Sequence, residues 1–273
     1  MDINPPFGFK EIVPFYKNQK ISLPAPGALP EFLRNTNAVP VSYTEFPVAY
    51  RDFPLVFVST DDAKSFSPVA VLGVSASENL FIQNGQWDVN AYLPAYVRRY
   101  PFCMARVTMD SVEQADRLVC VEKSFVSDTG ESMFDGEGKA LDRWQPIERL
   151  LNDYEADLER TREMCAILAD YSLLEPFTLQ ATLKDGGPMN LAGMYRVEEK
   201  KLEYLNAAQH RNLFRKGIMG RIYAHLLSMD NFGRLMTRKN TAAAALKAQE
   251  VTAPSPAAAA DAGKSGKKEK TRA

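Results

Sequence analysis

The sequence predicts an α+β fold: a mixed/antiparallel sheet with short strands in the N-terminal half, then a long helix, a hairpin and C-terminal helices packed on it. Three observations predict this. Short apolar runs bounded by Pro, Asp and Ser recur between residues 55 and 122. The apolar spacing then changes to steps of three and four residues over 141–171. Beyond that, alternating stretches at 179–183 and 191–197 flank Asp185, Gly186 and Gly187, as the two arms of a hairpin do.

The first forty residues carry Pro5, Pro6, Pro14, Pro24, Pro26, Pro30 and Pro40. Proline fixes φ and lacks an N–H, so this stretch should run extended over the body, with short strands at Ile12-Val13 and 21–23. Residues 43–51 suit one or two helical turns, closed by Pro54. Leu55 to Val58 and 69–73 read as buried strands, and 79–82 as a third. Asn84-Gly85 favours positive φ and a tight reversal. Residues 102–109 and 117–122 should pair antiparallel, which can set Cys103 opposite Cys120. Gly130, Gly136 and Gly138 mark loops around Met133 and Phe134. In the long helix the apolar face is Ile147, Leu150, Leu151, Tyr154, Leu158, Met164, Ile167 and Leu168. Three further helices are expected at 198–205, 207–216 and 218–236, broken at Asn206 and Gly217.

The chain has 273 residues, of which 45% are hydrophobic, enough to bury a large core. A single globular domain is expected over 1–240, with a division into lobes at 1–138 and 139–240 as the alternative. Residues 241–273 should form a disordered basic tail rich in Ala and Lys, because 252–273 hold no aromatic residue to bury against the entropy of ordering. From Thr237 onward there are eight Lys or Arg and three Asp or Glu, a balance of +5; the net charge of −1 therefore leaves −6 on the body. An acidic body argues against nucleic acid as its partner, since phosphate contacts need clustered cations. No stretch of 18 apolar residues suggests a membrane span. The N-terminus, Met1-Asp2-Ile3-Asn4-Pro5-Pro6, lacks the charged and apolar regions of a secretory signal. A cytoplasmic location is expected, with surface association by non-classical export as the alternative. Cys103, Cys120 and Cys165 match no metal-binding or CxxC spacing and read as three free buried thiols.

No phosphate-binding glycine loop, GxSxG elbow or histidine metal motif is present, so no cofactor and no metal are expected. The two histidines, His210 and His225, fall on different helices; His225 is the weak candidate for a catalytic acid or base. The densest polar-aromatic cluster runs from Trp87 to Phe102. It supplies the candidate ligand-binding residues Trp87, Tyr92, Tyr96, Arg98 and Arg99. Aromatics offer surface with a polar handle, and arginines offer planar forks for a carboxylate or phosphate. The structural alternative is that the aromatics pack the body while the arginines pair with Glu45, Asp52 or Asp88. Two adjacent arginines cannot point the same way, so one should turn inward and meet either a carboxylate of the body, with Glu45 and Asp88 the first choices, or an anionic ligand.

The run Tyr92-Leu93-Pro94-Ala95-Tyr96-Val97-Arg98-Arg99-Tyr100-Pro101-Phe102 resembles the SapC family of bacterial proteins. The likeness extends through the segment from Pro40 to Glu45, Phe53-Pro54-Leu55-Val56-Phe57, Leu72-Gly73, Glu78-Asn79-Leu80-Phe81 and Gly85-Gln86-Trp87. It continues in Leu173-Leu174, Gly193-Met194-Tyr195-Arg196-Val197 and His225-Leu226-Leu227-Ser228-Met229, covering about 7–236. The resemblance implies an association with surface-layer proteins, and genes near those of TonB-dependent receptors and flavin-dependent halogenase-like proteins. It brings no catalytic residues. The expected function is a non-catalytic binding or accessory protein whose partners are a peptide or small anionic ligand and another protein. The alternative is an enzyme on a peptide or amino-acid-like substrate, with an arginine anion clamp and His225 as acid or base.

Overall fold

The computed structural model describes residues 3–252 except 60, 62, 110–111 and 183–186; residues 107–109, 112–116 and 245–252 are described by backbone alone. In order, the elements are β1 (Ile12–Pro14), β2 (Lys20–Ile21), α1 (Glu31–Arg34), β3 (Ala38–Pro40), α2 (Phe46–Ala49), β4 (Leu55–Val58) and β5 (Ser67–Val71). Then come β6 (Ile82–Gln83), β7 (Gln86–Trp87), α3 (Ala95–Arg98), β8 (Phe102–Met109), β9 (Val112–Glu122), β10 (Glu131–Ser132) and α4 (Gln145–Asp170). The chain continues with β11 (Leu174–Thr182), β12 (Pro188–Val197), α5 (Ala207–Arg215), α6 (Ile218–Ser228) and α7 (Asn231–Thr252).

The α+β architecture follows the change of sequence period. A five-stranded antiparallel sheet has the order β11-β12-β4-β5-β3 and takes strands from both sides of residue 138. A second sheet, β1-β9-β8, is also antiparallel and joins the N-terminal strand to the long 102–122 pair. Within it Cys103 lies directly opposite Cys120, and both thiols, like that of Cys165, are free and buried. Burial raises the three thiols, to about 12, 11 and 12 respectively, which leaves them protonated and unreactive at neutral pH.

Among the described residues four hydrophobic clusters form, and α4 crosses the two with the most packed side chains. Met164, Cys165 and Leu168 in its second half join Phe46, Phe53, Leu55 and Phe57 beneath the five-stranded sheet. Leu151 in its first half joins Trp144, Phe102, Val121, Ile21 and Met133 beside the three-stranded sheet. Between these two clusters the helix packs Tyr154 against Ala95 and Tyr96 and also presents polar groups. Asp157 accepts from the backbone N–H and hydroxyl of Thr44 (2.9 and 2.7 Å), and Thr161 accepts from the N–H of Tyr43 (2.9 Å). The candidate site lies along this joint.

Local chemistry explains where elements stop. The α4 helix ends at Ser172, which takes positive φ (54°); Leu173 N–H reaches Leu168 O (2.9 Å) and Ser172 N–H reaches Ala169 O (2.8 Å), closing the helix as a Schellman turn. Asn206 caps α5 reciprocally with Gln209. Gly217 has φ 68°, and a Cβ there would lie 2.6 Å from the Tyr43 hydroxyl, so the joint between α5 and α6 needs glycine.

Some expectations are corrected. The strand expected at 79–82 is only Ile82–Gln83 in β6, because the Asn79 side chain accepts from Phe81 N–H (3.0 Å) and turns the chain. The helix expected over 218–236 is two helices. Ser228 donates back to His225 O (2.5 Å), while Asn231 Nδ2 anchors the next helix on Tyr50 O (2.6 Å) and Phe53 O (3.1 Å). Residues 198–205 form a 3-10 turn, Glu199–Tyr204. The α7 helix continues past Asn240 to Thr252; residues 253–273, and Asp185 and Gly186 of the expected turn, lie outside the described residues. Among the described residues no helix is long and apolar enough to cross a membrane.

Candidate ligand-binding site

The site is built on the 92–102 run. Pro94 and Pro101 bracket one helical turn, α3, whose first N–H groups need an acceptor. Glu45 supplies it. One of its carboxylate oxygens accepts from Ala95 N–H (2.7 Å) and the Tyr92 hydroxyl (3.0 Å), and the other from the Ser42 N–H and hydroxyl (both 2.8 Å). One buried carboxylate therefore fixes the start of two helical turns and has no arginine in contact. This corrects the expected pairing of Glu45 with an arginine: backbone and hydroxyl donors occupy both of its oxygens. Asp88 is likewise engaged elsewhere, with Arg238 of α7 (2.7 Å), whose guanidinium also lies over Phe81. Asp52 accepts from Tyr92 N–H (2.9 Å).

The two arginines part as their adjacency requires. Arg98 is exposed; its Nε donates to Leu93 O and an Nη to the Tyr92 hydroxyl (both 3.0 Å). Through that hydroxyl it is linked to Glu45 at one remove. Arg99 turns inward and is 5% exposed. Its guanidinium lies 4.3 Å from the ring centre of Tyr96, 4.7 Å from that of Tyr154 and 5.7 Å from that of Phe9. Among the described residues no carboxylate pairs with it, and its Nε has no hydrogen-bond acceptor. Burial raises the Tyr96 and Tyr154 phenols above their usual range, with the Arg99 charge opposing that rise.

A cleft of about 390 Å³ opens beside these residues. It is lined by Trp87, Leu93, Val97 and the 98–102 segment, by Ile147 and Leu150 of α4, and by Leu23, Pro24 and 27–30 of the proline-rich segment. Trp87 is placed by the β6–β7 hairpin, whose turn residues Asn84 and Gly85 take φ 51° and 77°. Its indole stacks on Phe81 (5.7 Å) and donates to Ala91 O (3.0 Å).

Of the residues expected to bind ligand, Trp87, Arg98 and Arg99 line this cleft. Tyr92 and Tyr96 stand behind it: the first holds Arg98, and the second faces Arg99 with its ring and donates its hydroxyl to Phe7 O (2.5 Å). His225 lies apart, in α6 against the five-stranded sheet, fully buried. Its Nδ1 donates to Leu55 O (2.7 Å) and its Nε2 accepts from Val197 N–H (3.0 Å). Burial lowers it to about 4, so the ring is neutral and both nitrogens are committed. That leaves no ring atom for a substrate proton. Sequence reasoning missed Phe9 and Tyr154, which complete the box around Arg99, and the role of the proline-rich segment as lining. The prolines signalled an extended wrap but not what it would cover.

No curated protein and no solved structure matches the chain. The SapC family model matches residues 22–235, which include every residue lining the cleft, and the chain belongs to the SapC family.

Proposed function

We propose that this chain is a non-catalytic binding protein whose cleft takes a small ligand, or a side chain of a partner protein, with an acidic group attached to an apolar body. The single observation that carries this reading is Arg99: a residue 5% exposed, its guanidinium boxed by three rings and without a carboxylate among the described residues, in a segment that lines an apolar cleft. The rings offset part of the cost of burying the charge, about 2 kcal/mol where the contact is desolvated. The buried Nε of the guanidinium still has no acceptor among the described residues. A buried donor left unmade costs about 1–3 kcal/mol. A carboxylate or phosphate entering the cleft would supply the acceptor, with Arg98 at the mouth as a second fork.

The lining away from the arginines is aliphatic, aromatic and proline-rich, which suits an apolar ligand body. The family resemblance adds an accessory role beside surface-layer or TonB-dependent uptake machinery, for which capture of an acidic ligand is a suitable task. The enzymatic alternative required His225 at the cleft, and both ring nitrogens of His225 are spent on backbone groups elsewhere.

Thermal shift with 3-phenylpropionate and its neutral amide tests the reading. The acid should raise the melting temperature in proportion to its occupancy, and the amide should not. Equal stabilisation by both would overturn it.

A further inference from the structure

The cleft at Arg99 has a neighbour. A second cleft, of about 550 Å³, lies on the other side of the same proline segment. The two share Pro24, Ala28, Leu29, Pro30 and Tyr100 as lining. Within 23–29 no hydrogen bond ties the segment to the body among the described residues; Leu23 and Leu29 hold it by packing. The two clefts therefore adjoin along an apolar strap, and Tyr100 lines both.

The charges of the two clefts are opposite. The first cleft carries Arg98 and Arg99. The second carries Glu31, Glu122 and Lys10. Lys10 Nζ meets Glu31 at 2.7 Å where both are exposed, so the second cleft keeps one carboxylate in excess. Glu122 is 3% exposed and accepts from the N–H groups of Lys10 (2.9 Å) and Glu11 (3.1 Å). The fields of both carboxylates converge on Tyr100: burial first, then Glu122 and Glu31, push its phenol up to about 12.

Resting on the binding reading above, we infer that the ligand is zwitterionic, a short peptide whose carboxylate sits with Arg98 and Arg99 and whose ammonium group sits with Glu31 and Glu122 beyond the strap. A free peptide carries both charges at its ends. Its apolar side chains would lie against Leu29, Pro30 and Tyr100.

Calorimetry with three forms of a leucine–phenylalanine dipeptide tests this: free, N-acetylated, and C-terminally amidated. The free form should bind. Acetylation and amidation should each weaken binding about tenfold or more, the loss of one charge-assisted contact. In the Glu31→Gln variant, altered only at an exposed residue, the acetylation penalty should shrink. If the acetylated peptide binds as well as the free one while the amide does not, the inference fails and the Arg99 reading stands. If the amide binds as well as the free acid, both fail. If no form binds although 3-phenylpropionate does, the peptide class is wrong.

Discussion

Two buried bases, His225 and Arg99, are treated oppositely by this fold. His225 fills a gap between β4 and β12, which pair only at Met194 with Val58 and at Tyr195 with Phe57. Beyond that ladder, its two nitrogens take up Leu55 O and Val197 N–H, and Ser228 accepts from Leu55 N–H (2.9 Å). Every polar atom of the imidazole has a backbone partner, and it is neutral. Arg99 is nearly as buried, yet it has ring faces around it, an unmet Nε and a cleft at its side. A base whose hydrogen bonds are complete holds a fold together. A cation whose hydrogen bonds are incomplete beside a cleft is prepared for a ligand. The comparison teaches that burial alone does not separate structural from binding groups; the tally of polar partners does.

The largest expected effect is at the histidine. His225→Leu should lower stability by about 3–5 kcal/mol, since it strands one buried carbonyl and one buried N–H, measured by urea unfolding. A loss under 1 kcal/mol would break the comparison. The pH profile comes next. His225 is lowered from 6.5 to about 4 in the fold, so the unfolded chain binds the proton more readily. Its contribution is complete above pH 6.5 and is lost as pH falls towards 4, by about 1.4 kcal/mol per unit and roughly 3 kcal/mol in all. The same slope should be absent from His225→Leu. A smaller effect is expected at the mouth of the cleft. Tyr92→Phe removes the hydroxyl between Arg98 and Glu45, and should cost about 0.5–1.5 kcal/mol of stability while weakening acid binding several-fold, because Arg98 loses its support.

Much of this was legible in the sequence where the signal is local. Asn84-Gly85 announced the turn that sets Trp87, the three- and four-residue spacing announced α4, and the adjacency of Arg98 and Arg99 announced that they would part. What was not legible depends on distant chain. Phe9 and Tyr154 reach Arg99 from the N-terminal segment and from α4, and no spacing rule joins them. The carboxylate expected beside the inward arginine was plausible by charge. It failed because the N–H groups at Ser42 and Ala95 claim Glu45 first, a demand visible only once both turns start at the same place. The break between α6 and α7 was hidden for a related reason: the apolar period runs through it, and the interruption comes from Ser228 and Asn231 binding backbone groups around β4.

The most direct test is Arg99→Leu, followed by melting and by calorimetry with 3-phenylpropionate. The substitution removes a guanidinium that has ring contacts but no ion pair among the described residues, and leaves an aliphatic side chain within the box. Stability should stay within about 1 kcal/mol of the parent, or rise above it, because lost cation–π attraction is offset by relief of charge burial. Acid binding should disappear. A loss of about 3–5 kcal/mol, the signature of breaking a buried pair, with acid binding unchanged, would contradict it and make Arg99 a structural residue.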